Sequence, residues 1–157
     1  MHKDLFDLSG KVVILTGGLG LLGLNYAKAL ISKNARVVIL DLAKDEEASK
    51  ILSSQFSKDE LQRCFYYRTD ITDQKRLIKV RREILRILGS IDVLINNAAL
   101  VASVEKKYLG KYKKSFEDLD LDDWSAEMNV NLIGTLLCCK IFGGAMKRGS
   151  SVINVSS

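Results

Sequence analysis

A doubly wound parallel α/β sheet with strand order 3-2-1-4-5 is the fold this sequence predicts. Two observations predict it. Short apolar, strand-like runs alternate with helically spaced ones along the 157 residues. The first of those runs also empties into a glycine-rich turn, Thr16-Gly-Gly-Leu-Gly-Leu-Leu-Gly23, directly before a helix.

Val12–Thr16 shows no polar alternation, the mark of a strand buried on both faces. Leu21–Lys33 spaces its apolar residues as a helix does. Arg36–Asp41 is a second strand, Lys44–Phe56 a helix and Cys64–Thr69 a third strand. Asp73–Leu88 is a helix with Asp73 placed to cap it. Val93–Asn96 is the fourth strand, Asp122–Lys147 a long helix and Ser151–Val155 the fifth strand. Ala98–Leu121 breaks the rhythm. Five lysines, Lys106, Lys107, Lys111, Lys113 and Lys114, surround Tyr108 and Tyr112 there, which fits a solvated surface loop. Leaving the end of the fourth strand, that loop is also placed to act as a flap.

Composition is that of an ordinary globular domain, 47% apolar and 27% charged. One domain over residues 1–157 is expected. The 24 basic against 19 acidic residues give a net charge of +5. No aromatic-rich basic motif accompanies it, so no nucleic acid partner is expected. No apolar run approaches membrane-spanning length, and no signal core opens the chain. Cys64, Cys138 and Cys139 lack metal-ligand spacing and read as reduced thiols of a cytoplasmic protein. No metal site is expected. His2, the sole histidine, sits too near the terminus to suit catalysis.

Gly18-x-Gly20-x-x-Gly23 fits the dinucleotide fingerprint. Glycines let the backbone turn sharply and approach a ligand, and the helix start offers N–H groups to a diphosphate. Asp41 ends the second strand, where a carboxylate can accept from adenosine ribose hydroxyls. Such a charge-assisted bond contributes about 1.5–3 kcal/mol. A 2′-phosphate would instead meet a like charge, costing about 4 kcal/mol at ~4 Å and an effective dielectric near 20. NAD is therefore expected over NADP.

Asp70 follows the third strand, with adenine contact and a purely structural role equally open. Asn96-Asn97-Ala98-Ala99 follows the fourth, where amides can hold a loop and small side chains can admit a ligand. Asn131 lies beside an apolar helical face that includes Trp124, Met128 and Leu132. Its amide can hold a water or bend the helix, and Gly134 permits close packing. The final Asn154-Val155-Ser156-Ser157 places a serine at a strand end. With no His–Asp partner, a serine nucleophile is excluded.

Together these stations resemble the short-chain dehydrogenase/reductase family, from about Leu5 to Ser157. The matching residues are Leu8-Ser9-Gly10-Lys11, Thr16 to Gly23, Asp70-Ile71-Thr72, Asn96-Asn97-Ala98-Ala99, Asn131 with Gly134, and Asn154-Val155-Ser156-Ser157. The resemblance implies a Rossmann-type fold and hydride transfer between a nicotinamide and a small alcohol or carbonyl substrate. It implies that Gly17, Leu19, Gly20, Leu22 and Gly23 cradle the diphosphate and Asp41 the ribose. Asp70 and Ile71 would bracket adenine, and Asn96 to Ala98 would line the inner ribose. Asn131 would hold a relay water, and Ser157 would orient the substrate carbonyl. A homo-oligomer is implied for the full-length enzyme.

Two departures qualify the match. Leu21 and Gly20 spell the turn as the extended branch of sugar-nucleotide epimerases and dehydratases does, whereas Asn96–Ala99 and the Trp124–Met128–Asn131 arrangement favour the shorter branch. The family's Tyr-x-x-x-Lys is also absent from the sequence. Without it no tyrosine protonates the nascent alkoxide and no lysine lowers its pKa. The expectation is an inactive N-terminal part of a longer enzyme, truncated after the fifth strand. The competing expectations are a complete, non-catalytic dinucleotide-binding module and an S-adenosylmethionine methyltransferase.

Overall fold

The computed structural model describes residues 5–100, 117 and 121–156. The first apolar run forms β1 (Val12–Thr16), buried along its whole length. It is followed by α1 (Leu21–Ser32), β2 (Arg36–Asp41), α2 (Asp45–Gln55), a single turn α3 (Lys58–Leu61) and β3 (Cys64–Arg68). Then come α4 (Gln74–Leu88), β4 (Val93–Asn96), α5 (Leu121–Met128), α6 (Thr135–Cys138) and β5 (Ser151–Asn154). All pairings are parallel, in the order β3-β2-β1-β4-β5. The predicted strand order is the observed one.

Alternation along β1 divides the core in two. Val13 and Leu15 face α1 and α2 with Ala27, Ile31 and Leu52. Val12 and Ile14 face the other layer, where Leu77, Val80 and Ile84 of α4 meet Cys138, Ile141 and Phe142. The 3–4 spacing of those α4 residues puts them on one helix face. Asp73 caps α4 by accepting the Arg76 N–H at 3.0 Å, as its position predicts.

The predicted helix over 122–147 differs from what forms. From α5 the chain continues through a π-helical stretch, Asn129–Gly134, then α6, then a second π-helical stretch, Cys139–Gly143. Helical backbone ends at the Gly143-Gly144 pair, and Ala145 and Met146 donate into turns. Glycine's low helix propensity places that end ahead of Lys147. Nor is the Trp124, Met128 and Leu132 face buried: all three side chains are about half exposed. The helix expected from Lys44 to Phe56 begins and ends one residue inside those bounds. Ser57 and Glu60 then form a capping box that nucleates α3, an element the apolar spacing did not show. Of the 98–121 loop, residues 101–116 and 118–120 lie outside the described residues, so its surface or flap role stays an expectation. Among the described residues no helix is long and apolar enough to cross a membrane.

At the amino ends of the strands, Asp92 ties β1 to the start of β4. Its carboxylate accepts from the Val12 N–H at 2.9 Å and the Ser90 hydroxyl at 2.8 Å. Burial alone would raise its pKa, but these bonds and the Lys11 ammonium hold it below the ordinary carboxylate range.

Candidate functional site

At the carboxyl ends of β1, β2, β3 and β4 the chain leaves a cleft of about 620 Å³, a size suited to a small molecule or cofactor. The glycine turn forms its floor. Gly17 has φ +63°, and a Cβ there would come within 2.8 Å of the Ala98 Cα. A Cβ on Gly18 would strike Ile39 at 2.7 Å, and one on Gly23 would overlap the Gly17 carbonyl and the Gly18 backbone. These three glycines are therefore fixed by packing. Gly20 differs: a Cβ there meets nothing closer than the Gly17 oxygen at 3.4 Å. Its missing side chain serves the open cleft rather than the fold.

The start of α1 suits an anion. Gly20 offers no side-chain cap, and the first turn carries no acidic residue. The N–H groups and positive dipole end of that turn therefore have no carboxylate of their own. Leu21, the departure noted in the sequence, is 83% exposed and lines the cleft.

Asp41 stands across from the turn. Its carboxylate accepts the Leu19 N–H at 2.9 Å and the Leu42 N–H at 2.8 Å. Its backbone carbonyl accepts the Thr69 N–H at 2.7 Å. Beside it, Tyr66 donates to the Ala43 carbonyl. Burial, then the charges of Asp41, Asp45 and Glu47, push the Tyr66 phenol up to about 12. The Arg68 guanidinium, whose Nε donates to the Leu42 carbonyl at 3.3 Å, offsets part of that push. Asp41, Glu47 and Asp70 all line the cleft, and among the described residues no lysine, arginine or histidine does.

Asp70 and Ile71 also line the cleft. The Asp70 carboxylate closes a tight turn by accepting both the Thr72 N–H at 2.8 Å and its hydroxyl at 2.7 Å. Next to it the Thr69 hydroxyl is buried with no hydrogen-bond partner.

The paired asparagines have separate fates. Asn97 donates its side-chain amide to the Thr16 and Gly17 carbonyls, both at 3.1 Å, and lines the cleft with Ala98 and Ala99. Asn96 is 4% exposed and is not among the lining residues. It lies in β4, so the strand pleat turns its side chain the other way. Its amide donates to Asn154 Oδ1 at 2.8 Å and lies 3.3 Å from Cys139 Sγ. Of the Asn96 to Ala98 stretch expected beside the cofactor, Asn97 and Ala98 line the cleft and the Asn96 side chain does not.

Asn131 sits in the first π-helical stretch. Its Oδ1 accepts the Leu100 N–H at 2.7 Å and its Nδ2 donates to the Leu100 carbonyl at 3.0 Å. It thereby ties the helical layer to the segment after β4. Gly134 lets Ile71 approach, since a Cβ would fall 2.6 Å from its Cδ1. Ser157 lies outside the described residues.

Gly17, Leu19, Gly20, Leu22, Gly23, Asp41, Asp70, Ile71 and Ala98 thus converge on one cleft. The sequence reading missed Glu47, Ile51 and Val130 as lining residues.

A family profile described as short chain dehydrogenase matches residues 11–157. An NAD-dependent glycerol dehydrogenase of Listeria innocua is 32% identical over 157 residues, covering 99% of this chain and 55% of that protein. A D-threitol dehydrogenase of Mycolicibacterium smegmatis is 29% identical, covering 97% and 54%. The chain spans about half the length of the curated relatives it matches. Among solved structures, a Brucella melitensis short-chain dehydrogenase/reductase superposes with TM-score 0.79 at 23% identity, covering 95% of this chain and 57% of that one. A Burkholderia cenocepacia short chain dehydrogenase in complex with NADP gives TM-score 0.77 at 24% identity, covering 96% and 57%. With the profile spanning nearly all of its length, this chain belongs to the short-chain dehydrogenase/reductase family.

Proposed function

We propose that the cleft binds NAD and that the chain is the coenzyme-binding part of an oxidoreductase acting on a small polar alcohol or its carbonyl form. The observation that carries this reading is the Asp41 carboxylate facing the glycine turn, in a cleft whose other charged lining residues are Glu47 and Asp70. A 2′-phosphate there would lie among three carboxylates, and Arg68, whose Nε donates to the Leu42 carbonyl at 3.3 Å, is not among the described residues that line the cleft. One such pair at ~4 Å costs about 4 kcal/mol at an effective dielectric near 20.

The residues fit the coenzyme. Gly20 leaves room at the helix start for the diphosphate, flanked by Leu19 and Leu22, while Gly17 and Gly23 hold the turn's shape. Asp41 accepts from the adenosine ribose, and Asp70 with Ile71 lies against adenine, where the buried Thr69 hydroxyl is still unpaired. Asn97 and Ala98 border the inner ribose. Asn131 holds the π-helical layer in register with Leu100, and the water it would position belongs to the same proposal. When bound, nicotinamide supplies or accepts the hydride. Ser157 would orient the substrate oxygen, and the protonating acid would come from a longer protein, since residues 1–157 contain no Tyr-x-x-x-Lys. The polyol-like substrate class draws on the glycerol and D-threitol dehydrogenases among the relatives. Self-association of the full-length protein would use the exposed apolar side chains of Leu121, Trp124, Met128, Leu132 and Leu136.

Calorimetric titration with NAD and NADP tests this. The expected result is saturable heat with NAD and at least a tenfold weaker response to NADP. Equal affinity for both, or a preference for NADP, would overturn the NAD assignment. No binding of either would overturn the coenzyme reading itself.

A further inference from the structure

Asp41 is held more tightly than a ribose contact requires. Each carboxylate oxygen accepts one backbone N–H: Oδ2 from Leu19 at 2.9 Å, and Oδ1 from Leu42 at 2.8 Å. The Asp41 backbone is fixed in turn by the Thr69 N–H on its carbonyl and by the pairing of β2 with β3. Leu19 lies at the apex of the glycine turn. The base of the turn is secured by Gly17 donating to Leu40 at 2.8 Å, and its exit by Gly20 donating back to Gly17 at 3.2 Å. The Asp41–Leu19 bond joins the apex itself to β2, across 22 residues of sequence.

A carboxylate oxygen has two acceptor positions. One N–H on each leaves one free position per oxygen, enough for two vicinal hydroxyls. Ribose binding and turn anchoring therefore do not compete. Pinned on both sides, the carboxylate also cannot rotate away from a 2′-phosphate.

We infer that Asp41 is a positioning residue for the diphosphate turn as well as the ribose contact, so that one carboxylate sets both coenzyme selectivity and the shape of the phosphate cradle. This rests on the coenzyme reading above. It follows that removing the carboxylate does more than relieve the repulsion of a 2′-phosphate; it also loosens the turn on which the diphosphate rests.

The test compares Asp41→Ala with Asp41→Asn by hydrogen exchange of residues 17–20 without ligand, and by binding of NAD, NADP and adenosine. Asn keeps one acceptor oxygen for the Leu19 N–H, while the exposed Leu42 N–H can turn to water. The expected result for Asp41→Asn is turn exchange within about threefold of the parent. For Asp41→Ala we expect turn exchange at least tenfold faster and a larger loss for NAD than for adenosine. Unchanged turn exchange in Asp41→Ala, or an equal loss for NAD and adenosine, would overturn the inference. If the parent binds neither nucleoside nor coenzyme, the coenzyme reading fails, and the exchange comparison still decides the anchoring role. A circular-dichroism melt of Asp41→Asn guards against misreading an unfolded alanine variant.

Discussion

Thr16 and Asn97 hold each other from both sides of the sheet's central seam. The Thr16 hydroxyl accepts the backbone N–H groups of Asn97 and Ala98, both at 3.0 Å, while the Asn97 amide donates to the carbonyls of Thr16 and Gly17. The ends of β1 and β4 are thereby locked where the cleft opens. Thr16→Val keeps the shape and removes the acceptor, leaving two N–H groups without their partner. At roughly 1–3 kcal/mol per orphaned buried group, the expected loss is about 2 kcal/mol or more in a urea melt. Thr16→Ser should restore most of it.

The glycines of the turn divide into two kinds. Gly23→Ala drives a methyl into the Gly17 carbonyl and the Gly18 backbone, so the variant should lose the cooperative fold or melt far lower. Gly20→Ala meets only ordinary contact at 3.4 Å and should melt close to the parent, while losing at least tenfold in NAD affinity by calorimetry. A Gly20→Ala protein that binds NAD normally would contradict the assignment of that space to the diphosphate.

Asp92 gives a pH signature. Its folded pKa is lowered, so its stabilisation is present above the ordinary value of 3.8 and is lost as pH falls through the folded value. Asp92→Asn should therefore destabilise more at neutral pH than at an acid pH below 3.8. Equal destabilisation at both pH values would assign the effect to packing instead.

Gly134 and Ile71 form a matched pair. Gly134→Ala forces its methyl against Ile71 at 2.6 Å, with an expected cost of about 1–3 kcal/mol for overpacking. Ile71→Ala removes both colliding atoms, Cδ1 and Cγ1, so the double variant should recover part of that loss in thermal melts. Additive losses would show that the two positions do not share the contact.

The sheet was legible because periodicity and glycine chemistry report local rules. Buried parallel strands such as Val37–Leu40 show uninterrupted apolar runs, and the Thr16–Gly23 turn carries its geometry in its composition. Side-chain direction was less legible. Asn96 and Asn97 are chemically identical neighbours, and only the point at which β4 ends decides which of them faces the cleft. Glu47 was hidden for a related reason, since its sequence context is that of any acidic first helical turn. The π-helical stretches escaped because their residues keep ordinary helical φ and ψ at the junctions, and apolar spacing does not separate a widened turn from a regular one.

The fifth strand has a consequence for handling the protein. β5 lies at one border of the sheet, and Val152, Ile153 and Val155 are each at least 40% exposed. In a preparation of residues 1–157 taken by themselves, an extended peptide that drifts against this border can add a rung to the ladder, and each addition creates a fresh border. Turbidity of that preparation should then climb steeply with protein concentration and with sulfate, which strengthens apolar association, while the cleft at the carboxyl ends of β1 to β4 stays intact.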